Sequence, residues 1–268
     1  VQELTNTFEY NNIQSLINAI DDDVAAVILE PVTFFEPKDN FLHKVEDICK
    51  QKRILLIFDE MWTGFRMSIG GAQDYFNIKP DLATYSKAIA NGMPLAVITG
   101  KEEILRLIEN DVFIYSTFGG EALSLAAAKA TINELNKKNV IEYLHIVGGL
   151  LKNGINNVLK ELGIDYIKAI GYNFRLMLDF NHPTIDNLQI KSYVQQELIR
   201  RGILWSTYYN LSYSHTHEII NYTLQKHYEV FGQLKSVIEQ GKIENAIQGT
   251  PIQPMFRKVS NFNTKPRL

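Results

Sequence analysis

Apolar positions along the first third of the chain switch between two periods. Ile13, Leu16, Ile17 and Ile20 recur at helical spacing after Asn11-Asn12, either of which suits an N-cap, so a helix is predicted over 13–20, stopped by Asp21-Asp22-Asp23. Residues 24–29 form an unbroken apolar run closing on Glu30-Pro31, which reads as a buried strand. Phe41, Val45, Ile48 and Cys49 return to helical spacing after Asn40, and the run at 54–58 is a second buried strand that ends in Asp59. Strand, helix and strand in that order make a βαβ unit, whose two strands should be parallel.

Further along, turns through Gly64 and Gly70-Gly71 lead to a short strand at 82–85 that delivers Lys87 beside the turn cluster Asn91-Gly92-Met93-Pro94. A strand at 95–99 and a helix near 102–108 follow. Phe113 to Tyr115 then enter Ser116-Thr117, with glycines behind and an Ala- and Leu-rich helix over about 121–135. That order presents hydroxyls and backbone amides at a helix N-terminus, where phosphate binds readily. From 141 the pattern changes: a long helix to 162, a strand over 169–180 interrupted by Gly171, a helix over 190–201, a strand over 203–209, and a last helix capped by Thr216. We therefore expect part of a large α/β domain over 1–140 and a smaller α+β domain over 141–268. The tail from Thr250 holds three prolines and no periodicity, so it is expected to wrap the surface or move.

Composition narrows the class of protein. With 268 residues, 46% of them hydrophobic and 21% charged, the chain can bury a sizeable core. A formal net charge of -3 gives no footprint for nucleic acid or an anionic membrane, which leaves small metabolites as partners. No apolar run reaches membrane-spanning length. The single cysteine, Cys49, sits on an apolar helix face and reads as an inert thiol, which fits the cytoplasm.

The chemistry centres on Asp59 and Lys87. An acid and a lysine at neighbouring strand ends suit a cofactor that has both an aldehyde and a ring nitrogen: the lysine forms a Schiff base and the acid holds the ring proton. Glu60 points to the other side of its strand by alternation and reads as structural. His215 and His217 have no further ligand cluster near them in sequence, so a turn-and-cap role is preferred to a metal site.

Leu29-Glu30-Pro31, Phe58-Asp59-Glu60 with Thr63-Gly64-Phe65-Arg66, Pro80-Asp81-Leu82 leading to Ser86-Lys87-Ala88, and Ser116-Thr117-Phe118-Gly119-Gly120 stand in an order that resembles the class III pyridoxal-phosphate aminotransferases. The closest likeness is to the glutamate-1-semialdehyde aminomutase-like branch. The resemblance implies an α/β fold-type-I transferase with a mostly parallel sheet. It implies pyridoxal 5'-phosphate bound by Lys87, with Asp59 on the pyridine nitrogen and Glu30 near the phenolic edge. Thr117 would donate to the phosphate across a homodimer interface. It also places Val1 well inside the family's length, so that a phosphate cup and a ring-stacking aromatic would lie upstream. Trp62 stands where many members carry glutamine, and Phe35 where the ω-amino acid branch carries a gating glutamate. The expected activity is amino-group transfer, as an aminotransferase or an aminomutase, on a small amino or oxo acid or an amino-sugar-like metabolite. The rivals are an inactive fragment that keeps only the fold and a cofactor-free lysine Schiff-base enzyme such as an aldolase, although the latter leaves Asp59 and the Ser116–Gly120 turn without a role.

Overall fold

The computed structural model describes residues 4–253, which divide into two compact units, one over Asn6–Leu144 and the other made of Leu4 and Thr5 together with the described residues from His145 on. The expectation for the proline-bearing tail falls mostly beyond the described residues.

The first unit begins with α1 (Ile13–Ala19), where the Asn12 side chain accepts the Ser15 amide at 3.0 Å, as an N-cap should. β1 (Ala26–Leu29), α2 (Phe41–Lys52) and β2 (Leu55–Asp59) form the expected βαβ unit, and β1 pairs with β2 in parallel. After a short helix α3 (Ala72–Tyr75), which the sequence pattern did not reveal, β3 (Leu82–Tyr85) adds in parallel to β2. β4 (Val97–Gly100) closes the order β1-β2-β3-β4 and runs antiparallel to β3. The entrance to β3 is tied down by Asp81, whose carboxylate accepts the Leu56 amide of β2 at 2.7 Å and pairs with Lys101 at 2.6 Å. The chain continues through α4 (Glu102–Leu105), a 3-10 turn at Arg106–Glu109, and α5 (Ala122–Lys137).

Strand alternation sorts this sheet into two faces. Leu29, Leu56, Phe58, Ala83 and Tyr85 point into a core shared with Leu16 of α1 and with Phe41, Leu42, Val45 and Cys49 of α2. Burial raises the Cys49 thiol to about 11, which agrees with the inert reading. The opposite face carries Ile28, Ile57 and Leu82 in one row, and Ile28 is 60% exposed.

The second unit is built on α6 (Val140–Glu161), which begins before the division at His145. β5 (Ile167–Tyr172), β6 (Arg175–Phe180) and β7 (Tyr208–Asn210) form an antiparallel sheet in that order. The sequence pattern suggested one strand over 169–180; it is a hairpin, with Tyr172 paired to Arg175 across Asn173-Phe174. A phenylalanine that is 1% exposed at the turn kept the apolar pattern running through it. The strand expected over 203–209 shrinks to three residues at its far end. Gly148 of α6 lets the turn approach closely, since a Cβ there would stand 1.6 Å from the Asn173 carbonyl oxygen. Further side chains of α6 meet the outer edge of β5: the Asn156 amide both donates to Ala169 O (3.1 Å) and accepts from Ala169 N–H (2.9 Å), and Lys152 donates to Gly171 O at 2.7 Å. α7 (Asn187–Arg200), capped by Asp186, and α8 (His217–Glu239), capped by Thr216 as expected, complete the unit with the short α9 (Ile243–Ala246). Among the described residues no helix is long and apolar enough to cross a membrane.

Candidate active site

Three parallel strands end side by side, and their register sets the site. Leu29 pairs with Phe58 and Phe58 with Ala83, so Glu30 and Asp59 follow at the carboxyl ends of β1 and β2, level with Thr84. Because Ile28 pairs with Ile57, alternation puts Glu30 and Asp59 on the same face of the sheet, the one opposite the α2 core. Lys87 follows β3 by two residues and opens a 3-10 turn, Lys87–Ile89, against which α5 packs. It adopts φ +51°, a left-handed conformation that costs a non-glycine residue about 1 kcal/mol or more. Ser86 beside it donates its hydroxyl to Leu95 O at 2.7 Å, which fixes the turn from below.

Asp59 is half-buried, and one carboxylate oxygen accepts the Met61 amide at 3.0 Å. Among the described residues its other oxygen accepts no hydrogen bond, so it can receive one from a ring N–H. Glu60 faces the other way, as alternation required. It is 1% exposed, and its carboxylate accepts the amides of Ala72 (2.8 Å) and Gln73 (2.7 Å) at the start of α3 and the Thr63 hydroxyl. Desolvation pushes its acidity toward the protonated form while these three donors oppose the change. Gly71 makes the approach possible, because a Cβ there would lie 2.4 Å from the Glu60 carboxylate.

The Lys87 amine rests over the Trp62 indole, Nζ 3.9 Å from the ring centroid. In the sequence Trp62 stands out only as a departure from the family pattern. The signal that the two residues meet lies in the strand register and the tight turn at 60–67, neither of which a linear reading resolves.

At the expected phosphate turn the structure differs from the sequence reading. Thr117 is exposed in a turn where Gly119 N–H donates to Ser116 O at 3.2 Å, and α5 starts further on. The cap of α5 is Glu121, whose carboxylate takes the amides of Leu123 and Ser124, each at 2.7 Å. Those amides are therefore engaged by the protein itself, and the Ser124 side chain first, then the amides of Leu123 and Ser124, hold Glu121 below the usual carboxylate range. The Thr117 hydroxyl makes no hydrogen bond to another described residue. His215 closes a turn, its Nδ1 accepting the Ser212 amide at 3.0 Å, and the described residues contain no cluster of three metal-ligating side chains.

The donor set fits pyridoxal phosphate at two of its ends: an amine for the aldehyde and a carboxylate oxygen for the ring nitrogen. Comparison with known proteins gives the same direction. The profile described as aminotransferase class-III matches residues 2–207. A glutamate-1-semialdehyde 2,1-aminomutase from Methanococcoides burtonii is 37% identical over 59% of this chain and 39% of its own length. A 3-aminobutyryl-CoA aminotransferase from Cloacimonas acidaminovorans is 31% identical over 86% of this chain and 58% of its own. Among solved structures, the FumI protein of Sphingopyxis sp. MTA144 superposes with a TM-score of 0.79 at 24% identity, covering 91% of this chain and 59% of that one. The chain spans about half the length of the relatives it matches.

Proposed function

The chain belongs to the class III aminotransferases, and from that premise we propose that it serves pyridoxal-phosphate-dependent amino-group transfer, between a donor and an acceptor or within one molecule as an aminomutase does. The observation that carries this reading is the register that sets Glu30 and Asp59 side by side and delivers Lys87 just past the next strand. When bound, the cofactor supplies an aldehyde that receives the amino group and a protonated ring that draws off electrons from the substrate carbon.

In this reading Lys87 holds the cofactor through Nζ and, once a substrate amine has displaced it, moves the proton between the two exchanging carbons. Asp59 accepts the ring N–H with the carboxylate oxygen that the Met61 amide leaves open, which keeps the proton on the ring. Glu30 borders the same strand-end row. Thr117 donates its hydroxyl to the phosphate of a site completed by a second copy of the chain. That role is supported by its surroundings, because Phe113, Tyr115 and Phe118 are 91%, 76% and 73% exposed and await a partner surface. The enzyme works as a homodimer in the cytoplasm, and its substrate is a small amino or oxo acid or an amino-sugar-like metabolite.

The test is chemical. The protein is incubated with pyridoxal phosphate, reduced with borohydride, and digested for peptide mapping. The pyridoxyl group is expected on Lys87, and a principal label on any other lysine would overturn the assignment.

A further inference from the structure

The loop after β2 holds its own shape. Gly64 N–H donates to Glu60 O at 2.8 Å, and the amides of Arg66 and Met67 donate to Thr63 O at 3.2 and 2.9 Å. The Arg66 guanidinium donates to the Trp62 carbonyl at 3.0 Å, and Thr63 is bound to the buried Glu60 carboxylate. The backbone that carries Trp62 is thus set by six residues of its own loop and anchored through Glu60 to the start of α3. On the ring that this loop carries lies the Lys87 ammonium, 3.9 Å from the centroid, while the Arg66 guanidinium carbon stands 5.3 Å from it. Both fall within the roughly 6 Å over which a cation is attracted to an aromatic face.

We propose that Trp62 is the positioning residue for Lys87: its indole face is the platform that sets the direction from which the amine reaches the open end of β3. A lysine stem has four rotatable carbons and an exposed one samples many rotamers, so an amine that must attack at one angle needs a surface to rest on. The aromatic face attracts the ammonium without offering a hydrogen-bond donor that would compete for the lone pair of the free amine. The consequence for catalysis rests on the reading of Lys87 given above, but the platform itself does not. Glutamine, which has neither a wide face nor an attraction of this kind for a cation, could not replace it in that role.

The experiment uses the 268-residue chain without cofactor. All its lysines are converted to dimethyl-lysine with 13C-formaldehyde and a borane reductant, where hydride adds to each imine carbon formed with loss of water. The signals are then read in a 1H–13C correlation spectrum, and Lys87→Arg identifies the Lys87 signal by its disappearance. We expect that signal well upfield of the exposed lysines, because methyl groups above an indole face feel its ring current. Trp62→Phe should keep part of the displacement, and Trp62→Leu should return the signal to the position of the other lysines. A Lys87 signal that coincides with the exposed lysines in the parent protein would overturn the proposal, whether or not either variant folds. So would a displaced signal that Trp62→Leu leaves in place. Label on a lysine other than Lys87 in the borohydride experiment would defeat the functional reading and leave this result standing, so the two failures are distinct.

Discussion

The carbonyl of Thr223 can only accept, so the His227 Nδ1 that faces it at 2.7 Å carries the ring proton, and Nε2 accepts from the Tyr209 hydroxyl at 2.5 Å. The imidazole is fully enclosed in the second unit, and burial lowers its pKa to about 4, which the Thr223 carbonyl only partly offsets. An unfolded histidine binds a proton near pH 6.5, so between about 6.5 and 4 the unfolded chain binds more protons than the folded one. Stability contributed by the neutral ring is therefore intact above that window and lost as pH falls through it, by about 3 kcal/mol in all. Urea midpoints measured from pH 7 to pH 4 should fall accordingly, and His227→Gln, which keeps a donor and an acceptor but does not titrate there, should flatten that part of the profile. An unchanged slope in the variant would place the titration elsewhere. The strand-end positions of Asp59 and Lys87 were legible in the sequence because Asp59 ends an apolar run and Lys87 closely follows a short strand, each within a dense motif. The contact of Lys87 with Trp62 was not, because it depends on a left-handed residue and on a loop stitched by backbone hydrogen bonds.

Regular elements were legible wherever one periodicity persisted: β3, α2, α7 and α8 fall close to their expected spans because their buried faces repeat without interruption. The misses share a cause. α3 has only four residues, too few for a period, and exists because the Glu60 carboxylate satisfies its first amides from twelve residues away. The glycine that admits this carboxylate is a sensitive point. Gly71 adopts φ +85°, and any Cβ would strike Glu60, so Gly71→Ala should combine backbone strain with loss of the cap. We expect a loss of at least about 1–3 kcal/mol in chemical denaturation. A variant as stable as the parent would show that the loop can rearrange, and with it the seat of Trp62.

At the scale of the molecule, the order of strands and helices and the family likeness were available from motifs in sequence, whereas two features were not. The antiparallel direction of β4 is set by the short return through Asn91-Gly92-Met93-Pro94 rather than by its apolar pattern, and the Glu121 cap displaced the amides expected for phosphate. The edge of β5 carries a different lesson. A strand with an open margin invites another chain to dock alongside it, and Ile167–Tyr172 has the apolar content to be a good template. Asn156 answers as a counterfeit strand: one side-chain amide presents the donor and acceptor that a neighbouring backbone would, and Lys152 plugs the next carbonyl along. Asn156→Ala together with Lys152→Ala should leave those groups without partners, and light scattering at rising protein concentration should then report association that the parent chain resists at the same concentration. If scattering does not rise, the amide serves only to seat α6; if it does, a helix side chain is what keeps this sheet from recruiting strangers.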